Sequence, residues 1–513
     1  MRKRAFSLIL FSFLLIYALP AGAVYKEERK WQDEIIYSLM IDRFNNGDTK
    51  NDKDVDVKDP LAYQGGDFAG ITDKLDYIKD MGFTAIMLTP VFDNEDGGYH
   101  GYWVNDFYNT DEHFGTMDEF KQLVAEAHKR DMKIILDFVV NHVGPNHPWV
   151  NDPEKQDWFH EKKGITNWND QSEVETGWVY DLPDLNQDNR ETRKYLLDAA
   201  KWWIQETDID GYRLDTVKHV AKDFWRDFSK AVKEEKKDFY LIGEVWVEDP
   251  NIIADYQDTG IDGFMDFPQN SSMRDAFSKP DQSLNFLFSA LDRNEKMFTH
   301  PELLGQFIDN HDMTRFTHEI AANKENPETR WKLALTYMYT TPGIPIIYYG
   351  SEIAMNGGND PDNRRLMGFK ADPVLMDYIT KISEIRQKHP ALMKGELELL
   401  HANDSSAVFK RTFEDDTIVV VINNSSKSQT IDLDADKLGN DKELRGLVEY
   451  DLVRNNDGKY SIIIDREKAE IYTLSDKSGL NIPYLVVTGV VIFAFVIFIV
   501  FILKRSKRNR SFQ

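Results

Sequence analysis

The chain has 513 residues, 29% of them charged, with 87 acidic side chains against 62 basic, a formal net charge of −25 and no cysteine. Residues 1–23 and 482–513 carry basic side chains and no acid, so the stretch between them holds 54 basic against 87 acidic residues. Such a body repels nucleic acid and anionic lipid and suits a neutral substrate or bound cations; the lack of cysteine excludes disulfides and thiolate metal sites.

The first element is "MRKRAFSLILFSFLLIYALPAGA". A basic start, an apolar run from Ala5 to Leu19 and Ala21-Gly22-Ala23 make residues 1–23 a secretory signal cleaved after Ala23. Eight strand-like apolar runs follow, in order "EIIYSLMIDRF", "TAIMLTPV", "KIILDFVVNH", "GYRLDTVKH", "YLIGEVW", "DGFMDF", "LLGQFIDNHD" and "PIIYYGSE". Helical stretches separate them. In "TMDEFKQLVAEAHKR", Phe120, Leu123, Val124 and Ala127 share one face, and Thr116 and Glu119 have capping-box spacing. Regular strand-helix alternation predicts an α/β fold with a parallel sheet, and eight units predict a closed (β/α)8 TIM barrel over residues 24–142 and 189–390.

The break at 143–188 is rich in Trp, Asn, Asp, Gly and Pro. A structureless loop of that length does not suit a compact domain, so it is predicted to be a small subdomain inserted after the third strand. Residues 391–475 change texture, with short β-like runs such as "SAVFKRTF" and "DTIVVVINNS" predicting a C-terminal all-β sandwich. Residues 482–503 read "IPYLVVTGVVIFAFVIFIVFIL" without a charge, followed by a basic tail over 504–513. That pattern predicts a single C-terminal transmembrane helix with the tail inside, hence a single-pass cell-membrane protein with its body outside.

A barrel carries its function at the C-terminal ends of its strands, where three acids fall: Asp215, Glu244 and Asp312. Two carboxylates about 5 Å apart can carry out retaining glycoside hydrolysis, one as nucleophile and one as proton donor. Arg213 stands two residues before Asp215, on the same strand face, where it can orient that carboxylate. A buried salt bridge without chemistry is the alternative reading of this pair.

The stretches "DFVVNH" (137–142), "GYRLDTVKH" (211–219), "GEVW" (243–246) and "FIDNHD" (307–312) appear in order, with "GFTAIMLTP", "LPDLN" and "GIPIIYYGSE" beside them. Together they resemble the motifs of the α-amylase family of glycoside hydrolases, across residues 30–475. The resemblance implies Asp215 as nucleophile, Glu244 as acid/base and Asp312 as transition-state stabiliser. It implies substrate contacts at Tyr102, His142, Arg213, Lys218, His219 and His311. It also implies calcium. One site would use Asn141, the main-chain oxygen of His219 and the residue closing "LPDLN", here Asn186 where Asp is commoner. A second, oxygen-rich stretch, "NNGDTKND" with "YQGGD", resembles a calcium loop of the cyclodextrin-forming branch and offers Asn46, Asp48, Asn51, Asp52, Gly65 and Asp67.

Val217-Lys218-His219 stands where enzymes of the family that cut α-1,6 bonds in small oligosaccharides carry Ile-Asn or similar, which favours α-1,4 cleavage of starch and maltodextrins. "LPDLN" points towards the group intermediate between oligo-1,6-glucosidases and neopullulanases. A neopullulanase-like, cyclomaltodextrinase-like or transglycosylating enzyme is therefore the alternative. A non-catalytic surface protein on the same barrel is the alternative from another class, opposed by the complete set of three acids. The expected partners are an α-glucan and the membrane, with no nucleic acid and no obligate protein partner.

Overall fold

The computed structural model describes residues 29–477, 488–500 and 502. All eight expected strands form, as β1 (Ile36–Leu39), β2 (Ala85–Leu88), β3 (Lys133–Phe138), β4 (Gly211–Leu214), β5 (Tyr240–Gly243), β6 (Gly263–Phe264), β7 (Gly305–Phe307) and β8 (Ile344–Tyr348). They pair in parallel in the order β6-β5-β4-β3-β2-β1-β8-β7. A parallel bridge between Met265 and Gly305 closes the ring. Parallel strands buried on both faces need apolar residues at nearly every position. Ile36, Ala85, Ile135, Ile242, Phe307 and Ile346 fill the inside, while Tyr37, Ile86, Leu136, Tyr212 and Leu241 face the helices.

The helix over Met117–Lys129 buries Phe120, Leu123, Val124 and Ala127 and starts with the Thr116–Glu119 capping box, as its sequence predicts. The helix Arg190–Thr207 is capped by Asn189 and stops at Asp208, which takes a left-handed conformation at φ 58°. Between β3 and that helix, the insert is built from short helical turns at Pro148–Asn151, Gln156–Trp158, Gln171–Thr176 and Val179–Asp181. A bridge from His142 to Asp184 sews it to the barrel, and one from Phe159 to Leu185 closes it on itself.

After the barrel, eight antiparallel strands span Glu396–Asn403 to Lys468–Asp476. They form one continuous sheet rather than two separate ones. It folds over itself, since Val408, Val419 and Val421 from one end pack with Ile431, Leu433, Tyr460 and Ile462 from the other.

The expectation of a membrane-spanning helix at 482–503 is corrected. Among the described residues no helix is long and apolar enough to cross a membrane. Residues 488–500 are helical, but a run of that length rises only about 20 Å against a hydrocarbon core of about 30 Å. The rest of that stretch, except residue 502, lies outside the described residues, as do the signal at 1–23 and the tail at 504–513.

Candidate active site

The C-terminal ends of the strands open into a cleft of about 820 Å³. Asp215, Glu244 and Asp312 all line it, together with Tyr102, His142, Lys218, His219 and His311. Arg213 lies beneath. In-register pairing sets Arg213 of β4 beside Asp137 of β3 and Ile242 of β5. Strand alternation then turns Arg213 into the barrel while Tyr212 and Leu214 join the outer core.

One guanidinium gathers three carboxylates. Arg213 Nη1 lies 2.7 Å from Asp137 Oδ2 and 2.7 Å from Asp215 Oδ1, and Nη2 lies 2.6 Å from Glu244 Oε1. Thr216 makes a second link, its amide donating to Glu244 Oε2 at 3.1 Å and its hydroxyl to Asp215 Oδ2 at 3.0 Å. Thr216 reaches both because its backbone is left-handed, at φ 46°, a conformation β-branched residues rarely adopt. Burial pushes the Glu244 carboxyl up, opposed by Arg213 and reinforced by Asp215. Burial likewise raises Asp137, to about 7, against the pull of Arg213.

Asp312 sits across the cleft with its own cation. Arg364 Nη2 lies 3.2 Å from Asp312 Oδ1, and His311 Nε2 lies 3.1 Å from Oδ2. Burial raises the Asp312 carboxyl, and Arg364 and Arg213 oppose the rise. Tyr102 stacks on His311 with ring centroids 5.2 Å apart and 9° between planes, and its hydroxyl donates to Asp137 Oδ2 at 2.7 Å. Burial lowers the pKa of His142 and of His311, and Arg213 and Arg364 add to the fall at His311. His142 Nε2 is buried without a hydrogen-bond partner among the described residues, an open valence that a ligand hydroxyl can fill.

Lys218 and His219 stand where barrel and insert meet. Lys218 Nζ donates to Trp246 O at 3.0 Å, its main-chain oxygen accepts from Gln171 at 2.8 Å, and His219 Nδ1 lies 3.2 Å from Val174 O. Exposed aromatic rings crowd this side of the cleft: Trp168, Tyr180 and Trp246 are 55%, 90% and 43% exposed.

Sequence reasoning missed several of these residues. Asp137 lies inside a quoted motif, yet only the register of β3 on β4 reveals its bond to Arg213. Arg364 ends a single 3-10 turn at Asp362–Arg364 and donates to Tyr99 Oη at 3.3 Å, and no local pattern ties it to Asp312.

The expected calcium residues divide. Asn141 is fully buried and its Oδ1 has no hydrogen-bond partner among the described residues. Asn186 is engaged locally: its Oδ1 accepts from the Asp188 amide and its Nδ2 donates to Asp157 O. Asp184 lies two residues earlier. It pairs with His142 across a bridge, its Oδ2 lies 2.6 Å from His160 Nδ1, and its buried Oδ1 has no hydrogen-bond partner among the described residues. Buried side-chain oxygens of this kind suit a hard cation.

The residues of the second stretch lie close together. Asp67 accepts from the amides of Gly47 and Asp48 at 3.0 and 2.8 Å, and Asn46 donates to Asp52 at 2.7 Å. Gly65, at φ 88°, lies so close that a Cβ would meet Asn46 Nδ2 at 2.5 Å and Asp52 Oδ1 at 3.0 Å. The buried Oδ1 of Asn51 also lacks a hydrogen-bond partner. No group of three or more His, Cys, Asp or Glu suited to a metal occurs among the described residues.

The model of the α-amylase catalytic domain family matches residues 38–457. A β/α-amylase of Paenibacillus polymyxa is 38% identical over 460 residues, which are 86% of this chain but 38% of that longer protein. A cyclomaltodextrinase of Thermoanaerobacter pseudethanolicus is 35% identical over 421 residues, 78% of this chain and 71% of that one. Among solved structures, an Anoxybacillus α-amylase superposes with a TM-score of 0.87 at 62% identity, covering 88% of this chain and 100% of its own. The α-amylase of Geobacillus thermoleovorans in complex with acarbose follows at 0.85 and 57%, with coverages of 88% and 100%. The chain belongs to the α-amylase family of glycoside hydrolases.

Proposed function

We propose that the chain is a retaining, endo-acting hydrolase of α-1,4-glucosidic bonds in starch and maltodextrins. The observation that carries this reading is the sharing of Arg213 and Thr216 by Asp215 and Glu244. Carboxylates tied to neighbouring nitrogens of one guanidinium support the closely spaced arrangement of retaining enzymes over the wider one that admits a water between them.

In this mechanism the Asp215 carboxylate attacks the anomeric carbon while Glu244, protonated through its burial, gives its proton to the departing glycosidic oxygen. The bond between sugar and leaving group breaks as the ester to Asp215 forms. Glu244, now a carboxylate, takes a proton from water, whose oxygen displaces Asp215 and restores both groups. Asp312 stabilises the positive charge on the ring in each transition state. Tyr102 stacks under that ring, His142 and His311 bond its hydroxyls, and Lys218 and His219 hold the leaving-group side.

Calcium is proposed at both oxygen clusters, held by Asn141, Asp184 and the main chain at His219 in one, and by Asn46, Asp48, Asn51, Asp52, Gly65 and Asp67 in the other. Its contribution would be to clamp the insert and the loop over 46–67 to the barrel. Action on a polymer also suits export of the body. Export predicts a mature N-terminus at Val24.

Release of reducing ends from soluble starch tests the reading, with pullulan and cyclodextrin in parallel. Faster turnover of cyclodextrin than of starch would favour the cyclomaltodextrinase-like alternative, to which the 35% identical relative points.

A further inference from the structure

On the outer face of the barrel, Phe286 departs from the pattern of its helix. The helix Asn285–Met297 buries Leu287, Phe288, Ala290 and Asn294, while Phe286 is 72% exposed. One exposed ring is ordinary on its own. This one edges a groove of about 690 Å³ whose other walls include Asp275, Lys279, Gln282, Glu319 and Asn323. None of these residues lines the catalytic cleft. The volume lies in the range of small-ligand sites.

The groove's wall at 278–284 is held from the C-terminal domain. Asp281 donates its amide to Asn424 O at 2.8 Å, and Leu284 donates to Asp404 O at 2.7 Å. Asp281 Oδ1 accepts from the Ser426 amide at 2.9 Å, and Asn424 Nδ2 donates to Ala276 O and Gln282 O at 2.9 and 3.1 Å. The buried Arg330 completes the clasp, donating to Phe277 O, Lys279 O and the Asn424 side chain. Asp281 is held at φ 61°, a left-handed backbone that persists when surroundings impose it. A wall fixed in this way loses little entropy when a ligand arrives.

We propose that this groove is a second α-glucan binding site, with Phe286 as the platform for a sugar ring. The proposal rests on the α-glucan reading of the cleft. A glucose unit offers C–H groups to stack on an aromatic face and hydroxyls that both donate and accept. The groove answers with one bare ring, two amides, two carboxylates and an ammonium. It has no second apolar wall that would suit a hydrophobic peptide, and its mixed charges suit a neutral ligand. The C-terminal domain then has a functional part, because its loops at 404 and 424–426 hold the wall in place.

Adsorption to insoluble starch in the cold, with turnover of maltotetraose as a separate measurement, tests the proposal. Phe286→Ala should adsorb about threefold less tightly or weaker still, the loss of one stacking contact. Its melting temperature and maltotetraose turnover should match the unchanged protein, and Phe286→Trp should restore adsorption. Adsorption unaffected by Phe286→Ala, or lost in proportion to maltotetraose turnover, would overturn the second site. Adsorption that depends on Phe286 in a protein that fails to cut maltotetraose would support the groove and sink the cleft reading instead.

Discussion

Arg213 Nη1 lies 2.7 Å from Asp215 Oδ1, two residues further along the same strand face. Both side chains are buried, and the same guanidinium holds Asp137 and Glu244. Arg213 is therefore the hub of the site, since removing it leaves three carboxylates unmatched.

Replacing the hub cation tests its structural share. Arg213→Leu leaves three buried carboxylates without their cation and should cost about 3–5 kcal/mol, as for other broken buried pairs. Urea unfolding measures it; a loss below about 1 kcal/mol would show that the carboxylates simply protonate or rehydrate.

Asp215→Asn keeps the shape of the side chain and removes the nucleophile. Turnover of starch should fall by about 10³-fold or more while the unfolding midpoint stays close to that of the unchanged protein. Retention of a few per cent of activity would contradict the assignment.

Glu244 must be protonated to act as acid, and burial raises its carboxyl in the free protein. Activity on starch should therefore fall as pH rises through that raised value, because deprotonation removes the acid. Glu244→Gln should lose far more on starch than on an aryl glycoside with an activated leaving group, and the alkaline limb should disappear with the activated substrate. Equal losses on both substrates would argue against the role.

Thr216 is strained at φ 46° while its amide and hydroxyl touch Glu244 and Asp215. Thr216→Gly relieves the backbone and removes the hydroxyl. Stability should hold or rise by about 1 kcal/mol, and kcat should drop. A parallel loss of stability and kcat would mean that the threonine serves packing alone.

Much of this was legible before the structure. The eight apolar runs became the eight barrel strands because parallel strands buried on both faces tolerate few polar residues. Asp215, Glu244 and Asp312 followed from their places at strand ends. Asp137 was not legible, since its partner is set by register between strands 76 residues apart. The local tie of Asn186 was not legible either. It comes from a turn in which the Asp188 amide donates to Asn186 Oδ1 at 3.1 Å, and no periodicity announces it. The C-terminal apolar run shows the limit of composition, because hydropathy was read there as a span and the described helix is too short for one.

Calcium has its own readout. A strong chelator should lower the melting temperature, and added calcium should restore it. Asp184→Ala should blunt that response and Asn186→Ala should leave it, in keeping with the bare Oδ1 of Asp184. An unchanged melting temperature, with no calcium by elemental analysis, would remove both sites.

The most direct test of the account is the anomeric form of the first product. Proton NMR during the opening minutes of maltodextrin hydrolysis, before mutarotation, distinguishes the two outcomes. Paired carboxylates on one guanidinium predict the α-anomer, the product of two inversions through an ester on Asp215. The β-anomer would mean a single displacement by water, and would contradict the role given to Asp215.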